Sequence, residues 1–199
     1  VDPAAEARML EEIKAAVEGG DTLGGIFEVF VTGVPIGLGS HVYWDRRLDA
    51  DVSRALMGIP AIKGVEVGLG FTAAYARGSS VHDAIFHDGV KYVRQTNNAG
   101  GVEGGITNGE ALIFRAAMKP IPTLSCPLPS VDIVTKQAKD AARERSDVCA
   151  VLAASIVAEA VVALEIAGFL IDKLGGDSME EMLERFAEYM KYVERVQLP

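Results

Sequence analysis

Cysteine, histidine and tryptophan are scarce in this chain of 199 residues, which contains two, three and one of them, respectively. Cys126 and Cys149 form neither a disulfide framework nor the paired ligands of a zinc site, and such usage is typical of a reducing compartment. Basic residues are outnumbered as well, since 19 Lys and Arg against 28 Asp and Glu give a formal net charge of −9. Nucleic acids and anionic membranes attract basic surfaces, so we expect neither as a partner.

The chain also lacks a secretory or transit signal and an initiator methionine, and its start at Val1 leads us to expect a processed or truncated polypeptide. Apolar residues make up 49% of it, enough for one packed domain over 1–199 without an internal linker. The longest apolar stretch, 148–174, contains Glu159 and Glu165 near its middle. Charges there are costly in lipid, so a buried core helix is expected instead of a membrane span.

Hydrophobic periodicity predicts both helices and strands. Helices are expected over 3–18, 49–57, 150–174 and 177–197, and strands over 22–34, 62–71, 91–96 and 111–118. Ser178 and Glu181 have the spacing of a capping box at the start of the last helix. Because these elements occur in blocks without regular βαβ alternation, the prediction is an α+β fold rather than a doubly wound sheet.

Two local patterns fit known motifs poorly. The segment 68–73 matches the loose dinucleotide pattern G-x-G-x-x-A, but no helix is predicted to open directly after it, so the glycines are expected to serve a twisted strand. His82-Asp83 and His87-Asp88 lie five residues apart, which places the imidazoles on different faces of a helix or strand. No metal site is therefore predicted, and His41, which stands alone, is expected to have a packing role.

A glycine-dense segment, Asn97-Asn98-Ala99-Gly100-Gly101-Val102-Glu103-Gly104-Gly105-Ile106-Thr107-Asn108-Gly109, is more informative. Ordering so many glycines costs conformational entropy, which must be offset by other contacts. Close approach of the backbone to a flat or anionic ligand would offset it, and so would tight packing between layers of the fold. The residues alone leave both interpretations open.

Two further segments could bind an anion. Lys119-Pro120-Ile121-Pro122-Thr123 follows a predicted strand, and its prolines make a stiff shelf with one cation and one hydroxyl, suited either to a phosphate or to a structural turn. Arg143-Glu144-Arg145-Ser146-Asp147-Val148-Cys149 precedes the apolar helix. This segment could form an anion site at a helix N-terminus. Alternatively, it is a solvent-exposed run of charged residues in which Asp147 caps that helix.

Taken together with Ile59-Pro60-Ala61-Ile62-Lys63-Gly64-Val65-Glu66-Val67-Gly68, these segments resemble the C-terminal part of chorismate synthase, a flavin-dependent lyase of the shikimate pathway. The resemblance runs from Asp2 to about Gly175 and includes Gly-Asp-Thr-Leu-Gly-Gly and Gly-Val-Pro-Ile-Gly-Leu-Gly-Ser. It implies an α+β fold with helices sandwiched between antiparallel sheets, assembled as a cytoplasmic homotetramer.

The same resemblance implies elimination of phosphate from 5-enolpyruvylshikimate 3-phosphate to give chorismate, with reduced FMN as cofactor and no metal. NADPH is associated with such flavin chemistry, but no motif here identifies the electron source. The positions matching the family's FMN contacts are Pro60, Ala61, Gly104, Lys119, Pro120, Ile121, Pro122, Thr123 and Arg145. Asp147 matches the carboxylate near flavin N5 that is implicated in removing the C6 proton of the substrate.

Several family features are missing from the sequence. Pro60 and Asn98 stand where Asn and His are common, and the motifs of the N-terminal half, which carry two catalytic histidines and several arginines, are absent. None of the three histidines lies in a matching motif. We therefore expect a fragment of a protein of nearly twice the length, inactive alone. The rival interpretation is an inert folded core that retains only self-association.

Overall fold

The computed structural model describes residues 2–144 and 146–197, which contain five α-helices, two short 3-10 helices and nine strands. The helices are α1 Pro3–Gly19, α2 Leu48–Met57, α3 Gly78–Val81, α4 Val151–Leu174 and α5 Met179–Gln197. The strands are β1 Gly25–Val31, β2 Ile62–Val67, β3 Ile85–His87, β4 Tyr92–Arg94, β5 Val102–Glu103, β6 Ile106–Thr107, β7 Leu112–Met118, β8 Pro129–Val131 and β9 Ala138–Asp140.

The central sheet has three antiparallel strands in the order β1-β7-β2. Its register pairs Gly25 with Met118 at one end and Val31 with Leu112 at the other. Ile62 also pairs with Met118, so β1 begins, β7 ends and β2 begins at the same end of the sheet. We call this the Met118 end and the opposite one the Leu112 end.

One face of the sheet carries the core. Alternate residues of β1 and β7 point inward, including Phe27 and Val29 on β1 and the fully buried Phe114 on β7, as expected for strands with period-two side chains. Helix α2 contributes Val52 and Leu56, as its sequence pattern predicts. The buried cluster includes residues from Phe27 to Ile166, and a single domain over 1–199 stays a prediction.

Helix α4 lies over this core, but it is not central, contrary to the prediction. Only one stripe is buried, Ala154, Ala158, Val162 and Ile166. On the opposite face Leu152 and Leu164 are each about three-quarters exposed. By length and composition α4 is the one helix of the described residues that could span a membrane. Its sequence is apolar on both faces, and the described residues cover only one of them.

An acidic pair and one arginine occupy the outer face of the sheet. Arg115 of β7 lies directly opposite Glu28 of β1 and Glu66 of β2, with nitrogen–oxygen distances of 3.6 and 3.4 Å. The same guanidinium donates a hydrogen bond to the Gly68 carbonyl at 2.9 Å. It thus links all three strands to the turn after β2.

The predicted α+β class is confirmed, and most predicted elements form. Asp2 caps α1 by accepting from the amides of Ala4 and Ala5, and the Ser178 hydroxyl accepts from the Glu181 amide at the start of α5. The strands predicted over 22–34 and 62–71 are shorter than expected. The hairpin β8–β9 and strand β3 were not predicted, because their residues are exposed on both faces and show no alternation.

Candidate functional site

The glycine-dense segment folds around a small hairpin. Val102 pairs with Thr107 and Glu103 with Ile106, so Gly104 and Gly105 form a two-residue turn. Their φ angles are +61° and +87°, the two positive values that a type I′ turn requires. A Cβ on Gly104 would meet no atom within 4 Å, so this glycine stands at an open tip.

Most of the other glycines in this region serve backbone packing. A Cβ on Gly68 would lie 2.1 Å from the Asn98 carbonyl oxygen, and one on Gly100 would lie 2.4 Å from the Gly68 nitrogen. The two loops therefore touch backbone to backbone, an approach that any side chain would prevent. Packing thus accounts for Gly100, and only Gly104 keeps the free space that a ligand contact needs.

Asp83 organises this segment, a role that the sequence did not reveal. Its carboxylate is 8% exposed and accepts hydrogen bonds from the Thr96 hydroxyl and the amides of Asn98 and Ala99, at 2.6, 2.8 and 2.9 Å. Burial raises the pKa of Asp83, but these hydrogen bonds and the charge of Arg94 outweigh it and leave the pKa below its ordinary value. The sequence presented Asp83 only beside His82 in a possible metal pair, and the structure gives it this different role.

The imidazoles of this region do not gather into a metal centre. His82 and His87 are both exposed, and His87 packs edge-on against Tyr92 with 5.3 Å between ring centroids. Residues 2–144 and 146–197 contain no group of three or more His, Cys, Asp or Glu side chains that could hold a metal ion. After Gly68 the chain enters the 3-10 helix Gly70–Tyr75 instead of an α-helix, so the dinucleotide motif lacks its structural context.

Gly104 lines an open cavity of about 310 Å³, which also has Asn98, Glu103 and His82 in its wall. A larger groove of about 920 Å³ lies between the hairpin β3–β4 and α5. None of the site residues predicted from the sequence lines that groove. Of the predicted cofactor positions, therefore, only Gly104 lies beside the polar groups of the smaller cavity.

At the Met118 end, the turn before β2 is strained. The Ile62 amide donates to the Ile59 carbonyl at 3.2 Å, Pro60 occupies the second position of the turn, and Ala61 has a φ of +69°. This is the pattern of a type II turn, whose third position normally holds glycine. A non-glycine residue there costs on the order of 1–3 kcal/mol, a strain that often marks functional sites.

The strained turn is joined directly to the proline shelf. The Lys119 amide donates to the Ala61 carbonyl at 2.9 Å, which places Pro60 and Ala61 beside the first residue of the shelf. Lys119, Pro120 and Pro122 are exposed. Among the described residues the Lys119 ammonium makes no ion pair, so its charge is open to an anion from solvent.

The segment around Asp147 lies against the other end of the shelf. The Ser146 hydroxyl donates to the Thr123 carbonyl at 3.1 Å, and the Val148 carbonyl accepts from the Leu23 amide at 2.8 Å. Asp147 is exposed between these two anchors. Arg145 lies outside the described residues. The interpretation of Asp147 as a helix cap is wrong, because α4 is capped at Ala150, which makes no side-chain capping bond.

The structure thus brings together most of the predicted site but not Gly104. Pro60, Ala61, the shelf Lys119–Thr123 and Asp147 lie at the Met118 end, whereas the Gly104 hairpin adjoins the N-terminus of α2 through the bond from the Leu48 amide to the Gly105 carbonyl. The six residue steps of β7 separate the two ends by about 20 Å. A single flavin in contact with both would have to extend along the sheet.

Known proteins show the same segments in the same order. A family model described as chorismate synthase matches residues 1–171. The chain belongs to the chorismate synthase family. It is 56% identical over 200 residues to the chorismate synthase of Geobacter metallireducens and 58% identical over 194 residues to that of Syntrophotalea carbinolica, alignments that cover 96% and 98% of this chain.

A solved structure described as "Crystal Structure of Chorismate Synthase" superposes on this fold with a TM-score of 0.81 at 46% identity, over 97% of this chain. That match covers 50% of the solved chain, and the two relatives above are covered to 51% and 50%. The chain therefore spans about half the length of the chorismate synthases it matches.

Gly100 and Gly104 have different packing environments, so alanine should lower the free energy of unfolding by different amounts at the two positions. Gly100→Ala should destabilise the chain by several kcal/mol or prevent folding, since its Cβ would overlap backbone. Gly104→Ala, with a similar positive φ but open space, should cost only about 1–2 kcal/mol. Urea denaturation of both variants measures the difference, and equal costs would contradict the packing role of Gly100.

Asp83 predicts a pH-dependent difference in stability. Asp83→Asn should lower the free energy of unfolding at pH 7 by about 1–3 kcal/mol, because hydrogen bonds to a buried carboxylate are lost. The folded pKa lies below the ordinary value of 3.8, so this stabilisation is complete above that pH and is lost as the pH falls through the folded pKa. Urea titrations from pH 7 to pH 3 should show the two proteins converging, and a constant gap would contradict the assignment.

Proposed function

We propose that the protein containing this chain eliminates phosphate from 5-enolpyruvylshikimate 3-phosphate to give chorismate, with reduced FMN as cofactor. Membership of the chorismate synthase family supports the activity. The observation that carries the proposal is the contact of the strained Ala61 turn, the Lys119 shelf and the Asp147 segment at one end of the sheet. These three segments are far apart in the sequence, and their convergence is what a binding wall requires.

The chemistry of the donors at this wall fits a flavin with an anionic phosphate. Lys119 supplies a cation that forms no ion pair with the described residues, in a chain of net charge −9, and Thr123 adds a hydroxyl. Pro120, Ile121 and Pro122 form a surface whose prolines fix φ, so the backbone loses little freedom when a ring packs on it. We assign Pro60, Ala61 and Arg145 to the same site, and Gly104 to a contact further along the sheet.

We propose Asp147 as the acceptor of the substrate proton. The elimination breaks the carbon–oxygen bond to phosphate and the carbon–hydrogen bond at C6, and it forms a new carbon–carbon double bond. Reduced FMN, when bound, supplies an electron-rich ring beside the substrate without net oxidation. The Asp147 carboxylate takes the C6 proton on one of its oxygens, since its backbone is anchored on both sides and it is not engaged as a helix cap.

This wall is open to solvent and needs an opposing surface. Lys119, Pro120, Pro122 and Asp147 are exposed in the described chain, although binding sites normally enclose most of a ligand of this size. The relatives are about twice as long, so the remaining chain or another subunit supplies that surface. The catalytic histidines that the family resemblance implies belong to it as well.

The rival candidate is a folded core that only associates with itself, and its support is the exposed apolar surface. The outer face of α4 exposes Leu152, Ile156 and Leu164, and β1 exposes Ile26 and Phe30 on the outer face of the sheet. Apolar surface of this extent normally marks an interface. We assign this exposed apolar surface to the assembly of a homotetramer. We expect that assembly to be cytoplasmic, and we propose no nucleic acid, membrane or metal as its partner.

Two substitutions separate cofactor binding from proton transfer. In the protein expressed from its whole gene, Lys119→Ala should weaken FMN binding by roughly 10- to 150-fold, the value of a charge-assisted contact of about 1.5–3 kcal/mol. Asp147→Asn should leave FMN affinity nearly unchanged but abolish turnover, because a proton acceptor acts mainly in the transition state. Flavin titration and chorismate formation measure the two effects.

Lys14→Ala serves as the control for the loss of one positive charge, since Lys14 is exposed on α1 and forms no hydrogen bond or ion pair with the described residues of the wall. It should leave both quantities at their wild-type values. Full activity of Asp147→Asn, or equal FMN affinity of Lys119→Ala and Lys14→Ala, would contradict the proposed site.

Self-association can be tested on the face of α4. Leu164→Lys places a charge on the exposed apolar stripe, so it should reduce self-association without destabilising the fold, as Leu164 makes no part of the core. Sedimentation velocity over a range of concentrations measures the effect. A compact wild-type monomer at the highest concentration would contradict the assembly.

A further inference from the structure

The segment Gly20–Gly24, which we call the clasp, contacts two of the three segments of the wall, the shelf and the Asp147 segment. It lies between α1 and β1, and no role has been assigned to it so far. The Gly20 carbonyl accepts from the Cys126 amide at 3.1 Å, just beyond the shelf. The Leu23 amide donates to the Val148 carbonyl at 2.8 Å, just beyond Asp147. The clasp therefore runs between the two segments that carry the candidate site.

Thr22 makes the central contact of the clasp. Its side chain is buried, with 7% of the residue exposed, and its hydroxyl donates to the Ile121 carbonyl at 2.6 Å. Ile121 stands between Pro120 and Pro122, which have no N–H groups. A shelf with two prolines cannot form a continuous strand ladder, so its carbonyls need donors from elsewhere. Thr22 provides such a donor at the middle of the shelf.

Gly24 brings the clasp into direct backbone contact with the shelf. A Cβ at this position would lie 2.2 Å from the Met118 carbonyl oxygen and 2.9 Å from the Pro120 nitrogen. The clasp is thus fixed against the start of the shelf by Gly24 and against its middle by Thr22. On its other side Leu23 forms a parallel bridge with Cys149, next to the start of α4.

From these contacts we infer that Thr22 is a positioning residue, whose hydroxyl sets the Lys119–Thr123 shelf in place relative to Asp147. It touches neither flavin nor substrate and acts through Ile121. The inference rests on the proposed function, since the shelf matters for a cofactor only if FMN binds there. Its structural part, that Thr22 orders the shelf, does not depend on a bound flavin.

The test compares Thr22→Val with Thr22→Ser in the protein expressed from its whole gene. Valine keeps the shape but loses the donor, whereas serine keeps the donor. Hydrogen–deuterium exchange without flavin should rise in Thr22→Val at the hydrogen-bonded amides of Lys119 and Cys126, on either side of the shelf prolines, by roughly two- to tenfold, the value of one net hydrogen bond. Thr22→Ser should exchange like the wild type. Thr22→Ala gives the same comparison if the valine variant does not fold.

Thr107→Val is the matched control for loss of a buried threonine hydroxyl. Thr107 is fully buried and donates to the Pro35 carbonyl at 2.6 Å, at the Leu112 end of the sheet. Its loss should raise exchange around 35–38 but not at the two amides on either side of the shelf prolines. If Thr22→Val leaves exchange at those two amides unchanged, or Thr22→Ser behaves like Thr22→Val, the inference is overturned.

Flavin titration then tests the link to the cofactor. Thr22→Val should weaken FMN binding by about two- to tenfold, and Thr22→Ser should restore the wild-type affinity. A looser shelf with unchanged FMN affinity would overturn the positioning role. If the wild type binds no FMN, the proposed function fails, and the role of Thr22 in positioning a cofactor fails with it. The exchange data alone then decide whether Thr22 orders the shelf.

Discussion

The shelf lacks two N–H donors, because residues 120 and 122 are prolines. The Thr22 hydroxyl and the backbone of its neighbours hold the shelf in their place, and the candidate site depends on these contacts. Pro120 and Pro122 make the shelf stiff, but they also remove N–H groups that would otherwise tie it to the sheet. The bonds from Thr22 to Ile121 and from Ser146 to Thr123 hold the carbonyls of the shelf instead. Lys119 is fixed by Ala61, so a rigid surface results without regular secondary structure.

The sheet gives the molecule two ends with different chemistry. At the Met118 end, an exposed lysine and an exposed carboxylate lie beside a strained turn. At the Leu112 end, the buried Asp83 carboxylate orders a loop whose glycines mostly pack backbone against backbone. Family resemblance assigns residues at both ends to one cofactor, but the geometry groups only those at the Met118 end.

Much of the fold follows from local sequence, because it depends on short-range patterns. Strand β7, helix α2 and the cap at Ser178 agree with prediction, since each is fixed by periodicity or by residues within one turn. The contacts of Thr22 and Asp83 could not be predicted. Thr22 reaches Ile121 across 99 residues, and Asp83 acts as a buried acceptor only because the Asn98 loop folds over it.

The exposure of α4 shows a different limit of sequence-based reasoning. This apolar helix was expected to be a central core helix, yet the residues described bury only one stripe of it. Periodicity reports which faces are apolar but does not specify which chain covers them. The same holds for the wall, whose residues could be named from a family resemblance although Lys119, Pro120, Pro122 and Asp147 are exposed among the residues described.

A crystal structure of the protein expressed from its whole gene, grown with FMN, tests the central claim most directly. The account predicts that one flavin contacts the Lys119 side chain and packs on Pro120–Pro122, with Asp147 of the same subunit at its ring and the Thr22–Ile121 hydrogen bond intact. A flavin bound at the Leu112 end, out of reach of Lys119 and Asp147, would contradict it.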